Sequence, residues 1–256
     1  MNTILDAEPT TNLVVLNGDL ITGENVFLPN GTHYIDQIVS PLLTHNLTWA
    51  STYGNHDSNY NLSRTALLER EHLWPNSRTT SMVPSPDSTA GVTNYYLPVY
   101  PPSCTTSACR PALLLWFFDS RGGNYFQQSD PETGEPVPQP NWVDPSVVAW
   151  FLSTNAALAG GGKPIPSLGF VHIPTNATLA AQSQGLVQPH HNPGIDDDVP
   201  VAQQGQGWCS EDISNDTCSY GGQDGAFMAA VAGTEGMMAL FSGHDHGNTW
   251  CWRWEG

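Results

Sequence analysis

Five short apolar runs along the chain each lead directly into a polar cluster. They are NLVVLNGDL (Asn12 to Leu20), LTWASTYGNHD (Leu47 to Asp57), ALLLWFFDS (Ala112 to Ser120), SLGFVHIP (Ser167 to Pro174) and GMMALFSGHDH (Gly236 to His246). Runs this short, bounded by Gly, Asn and Asp, read as buried strands. Helical patterns fall between them at Thr32 to His45, Leu62 to Leu73 and Pro145 to Leu158, with another within Gly221 to Ala232. Asp144 stands before Pro145 as an N-cap ahead of a proline at the first turn. The segments Thr79 to Gly91, Gly122 to Pro140 and Gln188 to Asp224 hold most of the Pro, Gly and Asp and read as loops. Strands alternating with helices predict an α/β layered domain. No internal repeat and no linker interrupts residues 1–256, so one domain with long insertions is expected.

Composition narrows what such a domain binds. A length of 256 residues supports a sizeable core, and 39% hydrophobic residues with nine Trp exclude a disordered chain. No stretch approaches the roughly 20 apolar residues that span a bilayer. The 24 acidic residues outnumber 7 basic ones, and Lys163 is the sole lysine. Such a surface repels nucleic acid and anionic lipid, so neither is an expected partner. It also repels phosphate, unless bound cations reverse the local field. Cys104 with Cys109, and Cys209 with Cys218, form local pairs suited to short disulfides, which leaves Cys251 over. Five sequons begin at Asn30, Asn46, Asn61, Asn176 and Asn215. Together these predict a glycoprotein that is secreted or held in the secretory pathway or vacuole, although MNTILDAEPTTN has none of the marks of a signal peptide.

The polar clusters at the strand ends carry the candidate chemistry, because loops converge where the strands of an α/β sheet end. Asp19, Asn55, His172, His244 and His246 supply one carboxylate, one amide oxygen and three imidazoles, with His56 beside them. This mixed N/O set suits Zn, Mn or Fe, and a bridging carboxylate can hold two such ions about 3.5–4 Å apart. Singly, Gly-Asp is ordinary turn chemistry and a lone His after a strand is most often structural. Gly243-His-x-His says more, since i and i+2 side chains share a face in extended chain and glycine admits close approach. The ordered conjunction of the blocks carries the argument.

That order resembles the calcineurin-like metallophosphoesterase superfamily, which includes the purple acid phosphatases. The family pattern is Asp-x-His, Gly-Asp, Gly-Asn-His-Asp/Glu, a lone His, and Gly-His-x-His; NGDL, GNHD, FVHIP and GHDH stand here in sequence. FFDSRGG and FVHIPTNATLAAQ are similar to a secreted fungal branch near the purple acid phosphatases. The resemblance implies a layered β-sandwich flanked by helices, and two metal ions (Mn, Fe or Zn) in the complete protein. It implies that Asp19 bridges them, that Asn55, His172 and His244 complete one site, and that His246 belongs to the other. It further implies that His56 contacts phosphate and protonates the leaving alkoxide while a metal-bound hydroxide attacks, so that small phosphate monoesters or diesters are hydrolysed.

The chain departs from the family pattern in two places. Nothing before Asp19 offers Asp-x-His: Asp6 precedes Ala-Glu, and His33 is the first histidine. One metal is therefore expected in this chain rather than two, and both ends read as cut, before a helix end at MNTILDAEPT and soon after GHDHGN. Thr22 occupies the position that in relatives holds an iron-ligating tyrosine or the aspartate supporting the catalytic histidine. Orientation of His56 then falls to Asp57 or Asn25. Asp119 either supports the site or caps its strand, and His190 and His191 near Asp196 to Asp198 read as a solvated acidic loop. The rival to an enzyme is an inactive glycoprotein with one structural metal or none. A metal-dependent hydrolase of other bonds is disfavoured, since no His-Glu-x-x-His helix occurs.

Overall fold

The run LLLWFF points its side chains alternately to two faces, and both faces are buried. Leu114, Trp116 and Phe118 pack against Val147, Val148 and Phe151 of one helix and Phe227, Ala230 and Val231 of another. Leu115 and Phe117 pack instead with Ala50, Tyr95 and Phe170 in a separate cluster, joined from a second sheet by Leu13 and Val15. On the outer face of that second sheet, Val14, Leu16 and Trp49 meet Ile35, Val39, Leu42, Leu67 and Leu68 of a further helix pair. The order is helix, sheet, sheet, helix, which is the layered β-sandwich expected from the sequence.

The computed structural model describes residues 1–83, 89–105, 109–187, 201–208 and 220–254. In chain order it runs α1 (Asn2–Ala7), β1 (Leu13–Asn17), α2 (Tyr34–Thr44), β2 (Thr48–Thr52), α3 (Arg64–Glu71), β3 (Tyr95–Val99), β4 (Leu113–Phe118), β5 (Asn124–Ser129), β6 (Pro136–Pro138), α4 (Pro145–Ala159), β7 (Ser167–Val171), α5 (Asn176–Ser183), α6 (Gly225–Gly233) and β8 (Met237–Phe241). Strands β1 and β2 pair in parallel, from Leu13↔Thr48 to Asn17↔Thr52. The larger sheet has the order β3-β4-β7-β8. Within it β3 is antiparallel to β4, while β4, β7 and β8 run parallel.

All five expected strands form, and the helices fall within a few residues of their patterns. Asp144 caps α4, accepting from the Ser146 amide at 2.9 Å, with Pro145 in the first turn. The segment Gly122 to Pro140 is not a plain loop. It holds the β5–β6 hairpin, whose polar strand NYFQQS is shaped by neighbouring backbone: Asn124 donates to the Ser58 carbonyl (3.0 Å) and Gln127 to that of Tyr60 (3.1 Å). Cys104 and Cys109 are joined by a disulfide. The expectations for Cys209, Cys218, Asn215, His190, His191 and Asp196 to Asp198 lie outside the described residues. Among the described residues no helix is long and apolar enough to cross a membrane.

A buried carboxylate fixes strand β2. Trp49, Ser51 and Tyr53 alternate onto one face and donate to the Glu71 carboxylate at 2.8, 3.1 and 2.9 Å, joined by Ser77 at 3.2 Å and Thr79 at 2.8 Å. Burial and the adjacent carboxylate push the Tyr53 hydroxyl well above its ordinary pKa, so it stays a donor. The strand is thereby anchored just before the Gly54 to Asp57 loop. Trp116, fully buried, lies edge-on to Phe151 at a centroid distance of 4.8 Å. Trp116→Ala is expected to cost about 3–5 kcal/mol, lowering the midpoint of thermal unfolding by about 10 °C.

Candidate metal centre

The site is built at the junction of the two sheets. Asn17, the last residue of β1, donates through its side-chain amide to the carbonyls of Val171 (3.3 Å) and Phe241 (3.4 Å), and accepts from Thr52 at 3.3 Å. One amide thus touches the ends of β1, β2, β7 and β8. The chain then turns through left-handed backbone at Gly18 (φ 88°) and Asp19 (φ 51°). Gly54 leaves the space this turn needs: a Cβ there would fall 2.2 Å from Asp19 Oδ1 and 2.7 Å from His172 Cδ2.

Asp19, His172 and His244 bring ligand-type atoms within 4.8 Å of one another. His172 is buried and its Nδ1 donates to the Asn17 carbonyl at 2.8 Å, which leaves Nε2 facing Asp19 Oδ2 at 2.9 Å. Asp19 Oδ1 accepts from the His56 amide at 2.9 Å. Burial disfavours charge on both partners, but their mutual attraction outweighs it. The Asp19 pKa therefore lies below the usual carboxylate value and the His172 pKa above the usual imidazole value. Burial and the neighbouring His172 push His244 down to about 4, so its ring is neutral at physiological pH.

Two buried atoms here make no hydrogen bond, Asn55 Oδ1 and His244 Nδ1, while His172 Nε2 has the Asp19 carboxylate as its neighbour. Each is a metal-ligand atom, and leaving such atoms unpaired in a protein interior is unfavourable. A divalent ion bound by them with Asp19 and His172 would satisfy both. The His172 Nδ1–H to Asn17 carbonyl bond is the support that orients a metal-bound imidazole. The residues present fit such an ion. His246 is exposed and stands apart from this group.

His56 lies on the rim, with its Nδ1 2.7 Å from Glu24 Oε1 and both side chains close to half exposed. This corrects the expectation that Asp57 or Asn25 orients it. Asp57 is buried and spent on backbone, accepting from the Ile21 and Gly54 amides at 2.8 Å each, and its burial pushes its carboxyl up to about 6. Glu24 sits in a 3-10 turn over Gly23–Asn25, tied to the histidine by the Gly23 amide donating to the His56 carbonyl at 2.9 Å. Its signal in the sequence was only that it is the acid nearest in the chain to the Gly-Asp block. Asp119 does cap its strand end, accepting from the Val92 and Arg121 amides at 2.7 and 2.8 Å.

No family model matches the chain. It is 25% identical over 262 residues to the probable inactive purple acid phosphatase 29 of Arabidopsis thaliana, covering 98% of this chain and 58% of that protein. Probable inactive purple acid phosphatase 14 of the same plant is 26% identical over 97% of the chain and 56% of its own length. Phosphatase DCR2 of Saccharomyces cerevisiae is 28% identical over 71% of the chain and 29% of its own length. The chain thus spans little more than half the length of these curated relatives, or less. Among solved structures, a dimetal phosphatase from Danio rerio shares the fold with a TM-score of 0.50 at 12% identity, covering 96% of this chain and 69% of that one. Because a side chain at position 54 meets Asp19 and His172 at once, Gly54→Ala is expected to displace the Asp19 turn and lower the midpoint of thermal unfolding, with the helical circular-dichroism signal retained.

Proposed function

We propose that this chain, a member of the calcineurin-like metallophosphoesterase superfamily, is a metal-dependent hydrolase of small phosphate monoesters. The observation that carries this reading is the clustering of ligand-type atoms of Asp19, His172 and His244 within 4.8 Å of one another, with Asn55 Oδ1 and His244 Nδ1 buried and without a hydrogen bond. Asp19, Asn55, His172 and His244 would hold the ion. When bound, Mn, Fe or Zn supplies Lewis-acid chemistry, acidifying water and offsetting charge on the phosphoryl oxygens.

The chain's own residues do the rest. Glu24 accepts a hydrogen bond from His56 Nδ1–H, which directs Nε2 outward. From Nε2, His56 gives a proton to the departing alkoxide. The surface charge of −17 disfavours polyanionic substrates, so a phosphate on a small carrier is the favoured class. His246 would serve a second ion, as the family resemblance of Gly243-His-x-His implies. The Cys104–Cys109 disulfide supports work in an oxidising compartment, along the secretory route or outside the cell.

A second reading, a non-catalytic protein holding one ion, is favoured by the single compact ligand group and by relatives described as probably inactive. Turnover of a chromogenic phosphomonoester by the purified chain with Mn or Zn, alongside metal counting, separates the two. One ion per chain without turnover selects the second reading. Under the first, Asn55→Ala loses both metal and activity, and activity unchanged by it would sink the hypothesis. His56→Ala is expected to lower kcat about 10²–10⁴-fold with metal content unchanged, and Glu24→Gln to lower kcat in the same direction by less.

A further inference from the structure

A second buried group lies behind Asn55. Arg64 is only 4% exposed and opens α3, where a cation opposes the helix dipole and where burial of charge is costly. Helix stability therefore does not account for it. Its Nη2 donates to the Gly54 carbonyl at 2.7 Å and to the Gly122 carbonyl at 3.1 Å, and its Nη1 to Gln139 Oε1 at 3.3 Å. Its Nε lies 3.5 Å from Asp119 Oδ1, an ion-pair distance too long for a directed hydrogen bond, and Asp119 is wholly buried.

The two carbonyls it grips flank a metal-ligand candidate. Gly54 immediately precedes Asn55, and Gly122 packs so closely that a Cβ on it would fall 2.8 Å from Asn55 Cβ. We propose that Arg64, its charge neutralised by Asp119, is a positioning residue that clamps the 54–57 loop to the 121–123 loop and so fixes Asn55 Oδ1 toward the metal. The proposal rests on the metal reading of the site. The planar guanidinium suits the task, because it donates to separate acceptors from one rigid fork, which an ammonium cannot reproduce.

The test uses Co²⁺, whose visible spectrum reports the ligand set directly, added to the purified chain and to two variants. Arg64→Lys keeps the charge and loses the fork. Arg64→Met combined with Asp119→Asn removes both buried charges together, so that folding is tolerated while the carbonyl clamp is lost. Both variants are expected to unfold cooperatively, to bind Co²⁺ about 10–100-fold more weakly than the parent, and to show shifted visible bands. Parent-like affinity and spectrum in either folded variant would overturn the clamp and leave the metal site standing. Absence of Co²⁺ binding by the parent chain would overturn the metal reading and this proposal with it.

Discussion

The amide and carbonyl groups of Asn17 hold the site at the seam between two sheets. Its side chain joins the ends of strands from both, and its carbonyl takes the Nδ1 proton of His172. The same residue therefore sets how the sheets meet and which imidazole nitrogen is left available. Behind it, the stacked pair Tyr95–Phe117, with ring centroids 4.4 Å apart, and Phe170 fill the space between the layers. Apolar packing brings the sheets together without direction; one polar side chain gives the junction its register.

The interior treats its polar groups in two contrasting ways. Glu71 is surrounded by five donors, and both oxygens of Asp57 and of Asp119 accept from backbone amides. These carboxylates order the loops around them. Beside Asp19, by contrast, the Asn55 amide oxygen and the His244 Nδ1 are buried with no hydrogen-bond partner. A ligand that satisfies them binds the folded chain and not the unfolded one, so occupancy and stability are linked.

What the sequence made legible follows from the range of the forces involved. The five strands were readable because each is a local apolar run, and the clustered Asp19, His172 and His244 because each follows a strand within a few residues. β3 was obscured by Pro98, which an edge strand tolerates, and the β5–β6 hairpin by polar strands ordered through contacts with residues 58 and 60. The groups that brace the site were harder still. Glu24 reaches His56 across 32 positions and Arg64 reaches Gly122 across 58, and no local pattern records such distances. Asn17 was visible as the first letter of NGDL, but its role depends on two strands more than 150 residues downstream.

Two ligand candidates, Asp19 and His244, sit in left-handed backbone, with φ of 51° and 72°. Most side chains resist that conformation, by about 1–2 kcal/mol, whereas Asp, Asn and His enter it more readily. Backbone geometry and coordination chemistry thus draw on overlapping short lists of residues at the same positions. A change to Glu or Cys would keep a donor atom at either place yet strain the turn that aims it. Substitution at these positions is filtered twice, once by the shape of the chain and once by what the site binds, and the first filter acts whether or not a metal is present.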